Sequence, residues 1–184
     1  MKSEAKVVLV GGGVRSGKSD FALAYALEHA PRGVTFIATA QALDGEMEAR
    51  IDAHRRSRPE GVRTIEEPVA LVEALARAEG SDAVVVDCLT LWVTNLLMAE
   101  LDDRAIFHRF EALAEALERR STFTVLVTNE VGMGIVPADP LTRRFRDLTG
   151  SLHASIARAA DEVYLGAMGL LLRLKPGPVM PVER

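Results

Sequence analysis

Residues 12–19 read GGVRSGKS, matching G-x-x-x-x-G-K-[ST] through Gly12, Gly17, Lys18 and Ser19. The apolar run KVVLV (6–10) precedes them, and a helix-length stretch, SGKSDFALAYALEHA (16–30), follows. Between a strand and a helix, glycines let the backbone curl until successive N–H groups point inward, and the helix start adds its positive end. The reading is a phosphate cradle. Gly12, Gly13, Val14, Arg15, Ser16 and Gly17 supply the loop, and Lys18 reaches the β- and γ-phosphates. Ser19 offers its hydroxyl to Mg²⁺. A metal held this way also needs an acid at the end of a neighbouring strand, and DAVVVD (82–87) ends in Asp87. Kinases, GTPases, motors and regulators all use such a loop, so it names no acceptor.

Outward from the loop, apolar β-branched runs recur at VTFIA (34–38), DAVVVD (82–87) and FTVLV (123–127), then at EVYLG (162–166) and LLLRL (170–174). Continuous apolar runs suit strands covered on both faces. Helical patterns lie between them at PVALVEALARAEG (68–80), RAIFHRFEALAEALERR (104–120) and LTRRFRDLTGSLHASIARAADE (141–162), the last interrupted by Gly150. Strands alternating with helices predict βαβ units. The expected fold is an α/β, P-loop NTPase (RecA-like) three-layer sandwich with a mainly parallel central sheet. A turn near Gly169 predicts a C-terminal antiparallel edge hairpin, and residues 175–184 read as a loose tail on one domain spanning 1–184.

The chain has 184 residues, 48% hydrophobic and 26% charged, enough for a sizeable core. Net charge is −4 and the pI is about 5.6, so no basic field points to nucleic acid. The one cysteine, Cys88, sits in an apolar strand-like run and reads as a buried, inert thiol. The N-terminal apolar run is too short for a signal peptide or membrane span, which predicts a cytoplasmic protein.

One further stretch is unusual. Residues 46–61 read EMEARIDAHRRSRPEG, with Met47, Ile51 and His54 on one helical face and Arg50, Arg55, Arg56 and Arg58 around the histidine. Asp44 is the expected N-cap, and Arg58, before Pro59, the expected end. Met47 and Ile51 are expected to pack this helix down. Taken alone, the stretch fits a packed or solvated histidine better than a reagent.

GGVRSGKS, FIATAQALDGEMEARIDAHRRSRP (36–59), TLWVTNLL (90–97) and VTNEVGMGIVP (127–137) occur in order, followed by FRDLTG (145–150) and AADEVYL (159–165). Together they resemble the bifunctional adenosylcobinamide kinase/adenosylcobinamide-phosphate guanylyltransferase family over residues 7 to 175. VTNEVGMGIVP is the most specific segment, since phosphate binding alone does not require it. The resemblance implies phosphorylation of adenosylcobinamide by GTP or ATP, then GMP transfer from GTP to adenosylcobinamide phosphate through a guanylylated histidine. Of the four histidines, only His54 falls in the matching A-R-I-x-x-H-R stretch. Carried onto matching positions, nucleotide contacts fall on loop 12–19, on Ala38, Thr39 and Ala40, and on Arg55, Arg56, Ser57 and Arg58. Glu66 and Asp87 complete them. Thr128, Asn129, Glu130 and the flexible GMG turn (132–134) are expected to line the cleft, and a homotrimer is implied. The sequence departs from the family at His153, where an amide side chain is more common, and at Asp87, where some relatives carry glutamate. Two rivals share the phosphate loop: a small-molecule kinase without guanylyl transfer, and a nonenzymatic GTP-binding regulator.

Overall fold

The strands form where apolar side chains alternate between two buried faces. The computed structural model describes residues 6–30 and 33–177. In chain order the elements are β1 (Val7–Gly12), α1 (Lys18–His29), β2 (Val34–Ala38), α2 (Gly45–Ser57), β3 (Arg63–Glu66) and α3 (Leu71–Arg77). They continue as β4 (Ala83–Asp87), α4 (Leu89–Met98), α5 (Asp103–Glu118), β5 (Phe123–Val127), α6 (Pro140–Ala159), β6 (Glu162–Ala167) and β7 (Leu170–Lys175).

These strands make one seven-stranded sheet in the order β3-β2-β4-β5-β1-β6-β7. Every pairing is parallel except β6 with β7, so the antiparallel strand lies at the edge as the hairpin reading expects. The turn between them puts Met168 and Gly169 at φ 54° and 77°. In β4, Val84 and Val86 join a core shared with α3 to α6, while Ala83 and Val85 point to the opposite side. That second core is closed by α1 through Ala22 and Ala26. Helices cover both faces, which gives the three layers.

Several expectations need correction. β3 escapes the apolar-run reading because only Ile65 of its four residues is buried. Helix α4, LTLWVTNLLM, also goes unread: it is apolar nearly all round, so no amphipathic period marks it. Helix α6 runs unbroken through Gly150, since one glycine costs a helix only about 1 kcal/mol. Cys88 is buried as expected, but it is the residue before α4 and not part of the strand. The tail expectation falls, beyond Gly177, outside the described residues. Among the described residues no helix is long and apolar enough to cross a membrane.

Candidate active site

Register sets the site. Glu66, Ala38, Asp87, Val127 and Val10 lie side by side across β3, β2, β4, β5 and β1, forming one row at the carboxyl rim of the sheet. Ligands of open α/β sheets bind at this rim. A cleft of about 590 Å³ opens above the row, within the usual range for a small-molecule site.

One wall is the loop after β1. Gly12 has φ 153°, and a Cβ there would come within 2.4 Å of the Gly166 carbonyl oxygen on β6. Only glycine fits, because the loop leaves the sheet against a neighbouring backbone. Gly17 precedes α1 with φ 81°, so the helix begins at Lys18, later than the sequence pattern suggests. Lys18 is buried, and its Nζ donates to the Gly13 carbonyl at 3.1 Å. Ser19 and Asp87 border the same cleft. Burial pushes the Asp87 carboxyl up, against the opposing pull of Ser19, His54, Lys18 and Arg58. Val14, Arg15, Lys18 and Ser19 face the cleft.

The opposite wall is α2. Asp44 caps it as expected, accepting the Met47 N–H at 2.7 Å, and Arg58 ends it. The expectation that Met47 and Ile51 pack the helix onto the core is wrong. No residue of α2 is buried; Met47, Ile51 and His54 line the cleft instead. The apolar stripe is there because a cavity wall, like a core, favours apolar side chains. Arg55 and Arg58 share this wall. Arg55 ion-pairs with Glu66 and, at 3.3 Å, with Asp52. Arg58 lies 3.8 Å over the Phe36 ring and donates to Thr64 Oγ1 at 3.1 Å; burial lowers its pKa.

The remaining expected site residues divide between the cleft and other places. Ala38, Ala40 and Glu66 line the cleft, whereas Arg56 does not, and Ser57 spends its hydroxyl on the His54 carbonyl at 3.0 Å. Thr39 is fully buried; its Oγ1 donates to the Cys88 carbonyl at 2.7 Å and accepts the Cys88 N–H at 2.8 Å. It ties β2 to β4 below the cleft. Of the trio 128–130, only Asn129 faces the cleft, since Thr128 turns inward to Thr90 and Glu130 bonds the Gly132 N–H at 2.5 Å. Burial drives the Cys88 thiol up to about 11, so it is an inert neighbour. Phe36, Arg50 and Leu91 also line the cleft, and the sequence reading missed them as site residues. Phe36 gives no signal of its own in an apolar strand, whereas Arg50 sits one turn before His54.

Residues 8–174 match the model of the family described as cobinamide kinase / cobinamide phosphate guanyltransferase. The chain belongs to this family. The bifunctional adenosylcobalamin biosynthesis protein CobP of Pseudomonas aeruginosa is 45% identical over 172 residues, 93% of this chain and 98% of that protein. The corresponding CobU of Escherichia coli K12 is 41% identical over 182 residues, covering 92% and 99%. Among solved structures, the flagellar accessory protein FlaH of Methanocaldococcus jannaschii matches with a TM-score of 0.53 at 14% identity, covering 96% of this chain and 82% of that one. That likeness concerns the fold alone. Family membership agrees with the resemblance read from GGVRSGKS and VTNEVGMGIVP.

Proposed function

We propose that the protein phosphorylates adenosylcobinamide with GTP or ATP, then transfers GMP from GTP to adenosylcobinamide phosphate through His54. One observation carries this reading: His54 and the phosphate loop border the same cleft, on opposite walls. A triphosphate seated on the loop lies within the space that the imidazole faces.

In the kinase step Lys18 leaves the Gly13 carbonyl and offsets charge on the β,γ-phosphates, while the acceptor hydroxyl bonds to the γ-phosphorus in line. The bond to the bridging oxygen breaks, the nucleoside diphosphate leaves and the hydroxyl proton passes to solvent. The Ser19 hydroxyl and the Asp87 carboxylate, which border the same cleft, are hard oxygen donors that suit Mg²⁺. The ion supplies further charge neutralisation on those phosphates when bound. In the transfer step a ring nitrogen of His54 forms a bond to the α-phosphorus of GTP, and the bond to pyrophosphate breaks. The ring gives up its N–H proton as the phosphoramidate forms. A phosphate oxygen of adenosylcobinamide phosphate then attacks, the P–N bond breaks, and the imidazole regains a proton. Arg55 on α2 and Arg58 at its end offset the charge that develops.

Incubation with α-labelled GTP and Mg²⁺ tests the reading. The expected product is an acid-labile, base-stable label on the protein that His54→Ala abolishes while adenosylcobinamide phosphorylation persists. Phosphorylation without any label reduces the protein to a kinase. GTP binding with neither activity makes it a regulator. The homotrimer and the cytoplasmic location rest on family likeness; sedimentation of the purified chain and fractionation of cells test them.

A further inference from the structure

His153, which stands where the family more often carries an amide side chain, has an unusual set of partners. Helix α6 carries its ring, half-buried, to the end of β5, where Nε2 lies 2.6 Å from Thr128 Oγ1. Thr128 Oγ1 is 3.0 Å from Thr90 Oγ1, and both threonines are buried. Thr90 Oγ1 accepts the Asn129 N–H at 2.6 Å. These contacts form one chain, His153–Thr128–Thr90–Asn129, linking α6, β5's end and α4. Its far end is the one residue of the trio 128–130 that borders the cleft.

The same segment touches the phosphate loop. Thr128 N–H donates to the Val10 carbonyl and Glu130 N–H to the Gly12 carbonyl, each at 3.0 Å. Proton bookkeeping fixes a direction along the chain. With Nε2 as acceptor, Thr128 O–H donates to His153, Thr90 O–H donates to Thr128, and Asn129 N–H donates to Thr90. Each hydroxyl then gives and receives one bond. The ring's other nitrogen, Nδ1, carries the proton toward Glu130 Oε2, 3.8 Å away. In the opposite tautomer Thr90 receives two protons and its own must leave the chain. Buried chains of this kind polarise one another and hold a single geometry when every member is satisfied.

We propose that His153 is a positioning residue for the kinase step, closing a relay through Thr128 and Thr90 that fixes Asn129 on the cleft floor. Asn129 follows β5, which lies between the Asp87 strand and the phosphate-loop strand, and its carboxamide Nδ2 lies 3.9 Å from Cys88 Sγ, the residue next to Asp87. His54 occupies the other wall. The relay therefore governs phosphoryl transfer more than labelling of His54. The inference rests on the kinase reading given above.

The test measures both reactions in wild type, His153→Leu, His153→Gln, Thr90→Val and the double variant His153→Leu/Thr90→Val. Small misplacements of a positioned group cost rate more than affinity, so His153→Leu should lower kinase kcat about tenfold. KM for the nucleotide and the rate of His54 labelling should stay within about twofold. His153→Gln, which restores an acceptor at the Nε2 position, should recover most of the loss. Thr90→Val breaks the same chain from α4 without touching α6, and the double variant should lose no more than either single one. Nitrogen NMR of the histidine rings adds a readout independent of turnover: His153 Nε2 should resonate as unprotonated, and shift in Thr128→Val. The inference fails if kcat is unchanged in His153→Leu, if both reactions fall equally, if glutamine does not rescue, or if the double loss is additive. If His153→Leu does not fold, Thr90→Val and the NMR signal decide alone. A wild-type protein inactive on adenosylcobinamide would sink the kinase reading instead, and so the two failures are distinguishable.

Discussion

The phosphate loop and helix α2 face each other across one cleft, yet the fold holds them by different means. The loop is clamped by backbone: Gly12 abuts Gly166, Gly13 N–H donates to the Gly166 carbonyl at 3.3 Å, and α1 buries Ala22 and Ala26 behind it. Helix α2 buries nothing. Its side-chain ties are the Asp44 cap, exposed ion pairs such as Arg50–Glu46 at 2.6 Å, and the reach of Arg55 and Arg58 to the sheet edge. Exposed pairs contribute about 0–1 kcal/mol each. A segment with so little buried apolar surface opens at a lower free energy than the core. The phosphate-binding groups are thus preorganised, whereas the candidate nucleophile rides on the looser wall. That division suits a site serving two reactions, because one wall stays fixed while the other adjusts.

Lys18→Ala attacks the fixed wall and should have the largest effect. Removing a charge that faces the transferring phosphates costs about 10²–10³-fold in kcat. On the proposal that both reactions draw on the triphosphate seated on the loop, kinase turnover and His54 labelling should fall together. Steady-state phosphorylation and α-label incorporation check this. A variant that loses only one reaction would show that the two steps seat their nucleotides in different places.

Stability sharpens the comparison next. Leu96 of α4 is fully buried in the core under the sheet, so Leu96→Ala should cost about 2–5 kcal/mol in urea unfolding. Ile51 is the same kind of side chain on a helix that buries nothing. Ile51→Ala should lie within about 0.5 kcal/mol of wild type, the range of ordinary surface changes. If it costs as much as Leu96→Ala, α2 is part of the core and the two walls are not different in kind.

These contrasts explain how far the sequence could be read. GGVRSGKS, β2, β4 and β5 were legible because local pattern and burial coincide there, and DAVVVD placed Asp87 beside the loop. Met47 and Ile51 were legible as a stripe but not as a cavity wall, since the helical period is the same for both. Thr39 lies within the matched segment, but its commitment to Cys88 depends on two strand ends meeting across the sheet. The relay from His153 spans helix, strand end and helix, and no local window contains it. What sequence hides here is long-range polar partnership; what it shows is hydrophobic period and loop chemistry.

A modest effect, well below that of Leu96→Ala, is expected behind the fixed wall, where Glu162 on β6 accepts from Lys6 Nζ at 3.0 Å, Tyr25 OH at 2.8 Å and Tyr164 OH at 3.0 Å. Burial pushes the Glu162 carboxyl up, but the hydrogen bonds from Tyr25, Lys6 and Tyr164 outweigh it and hold the pKa below the ordinary 4.5. Lys6 is held above its ordinary 10.5, chiefly by its hydrogen bond to Glu162. For a depressed acid the stabilisation is present above the unfolded pKa and disappears as pH falls through the folded one. For a raised base it is present below the unfolded pKa and disappears as pH rises through the folded one. Glu162→Gln should therefore lower Tm by about 2–4 °C near neutral pH, the change expected for roughly 1 kcal/mol in a chain of this size. The gap from wild type should close as pH falls below 4.5, and should narrow as pH rises above 10.5, where Lys6 loses its proton while Tyr25 keeps its own. Kinase and labelling rates should not change, because this cluster braces β6 and α1 away from the cleft. A Tm gap that is flat with pH would mean the glutamate acts by packing alone. The fixed wall would then owe its rigidity to the backbone contact of Gly12 with Gly166 and not to the charges behind it.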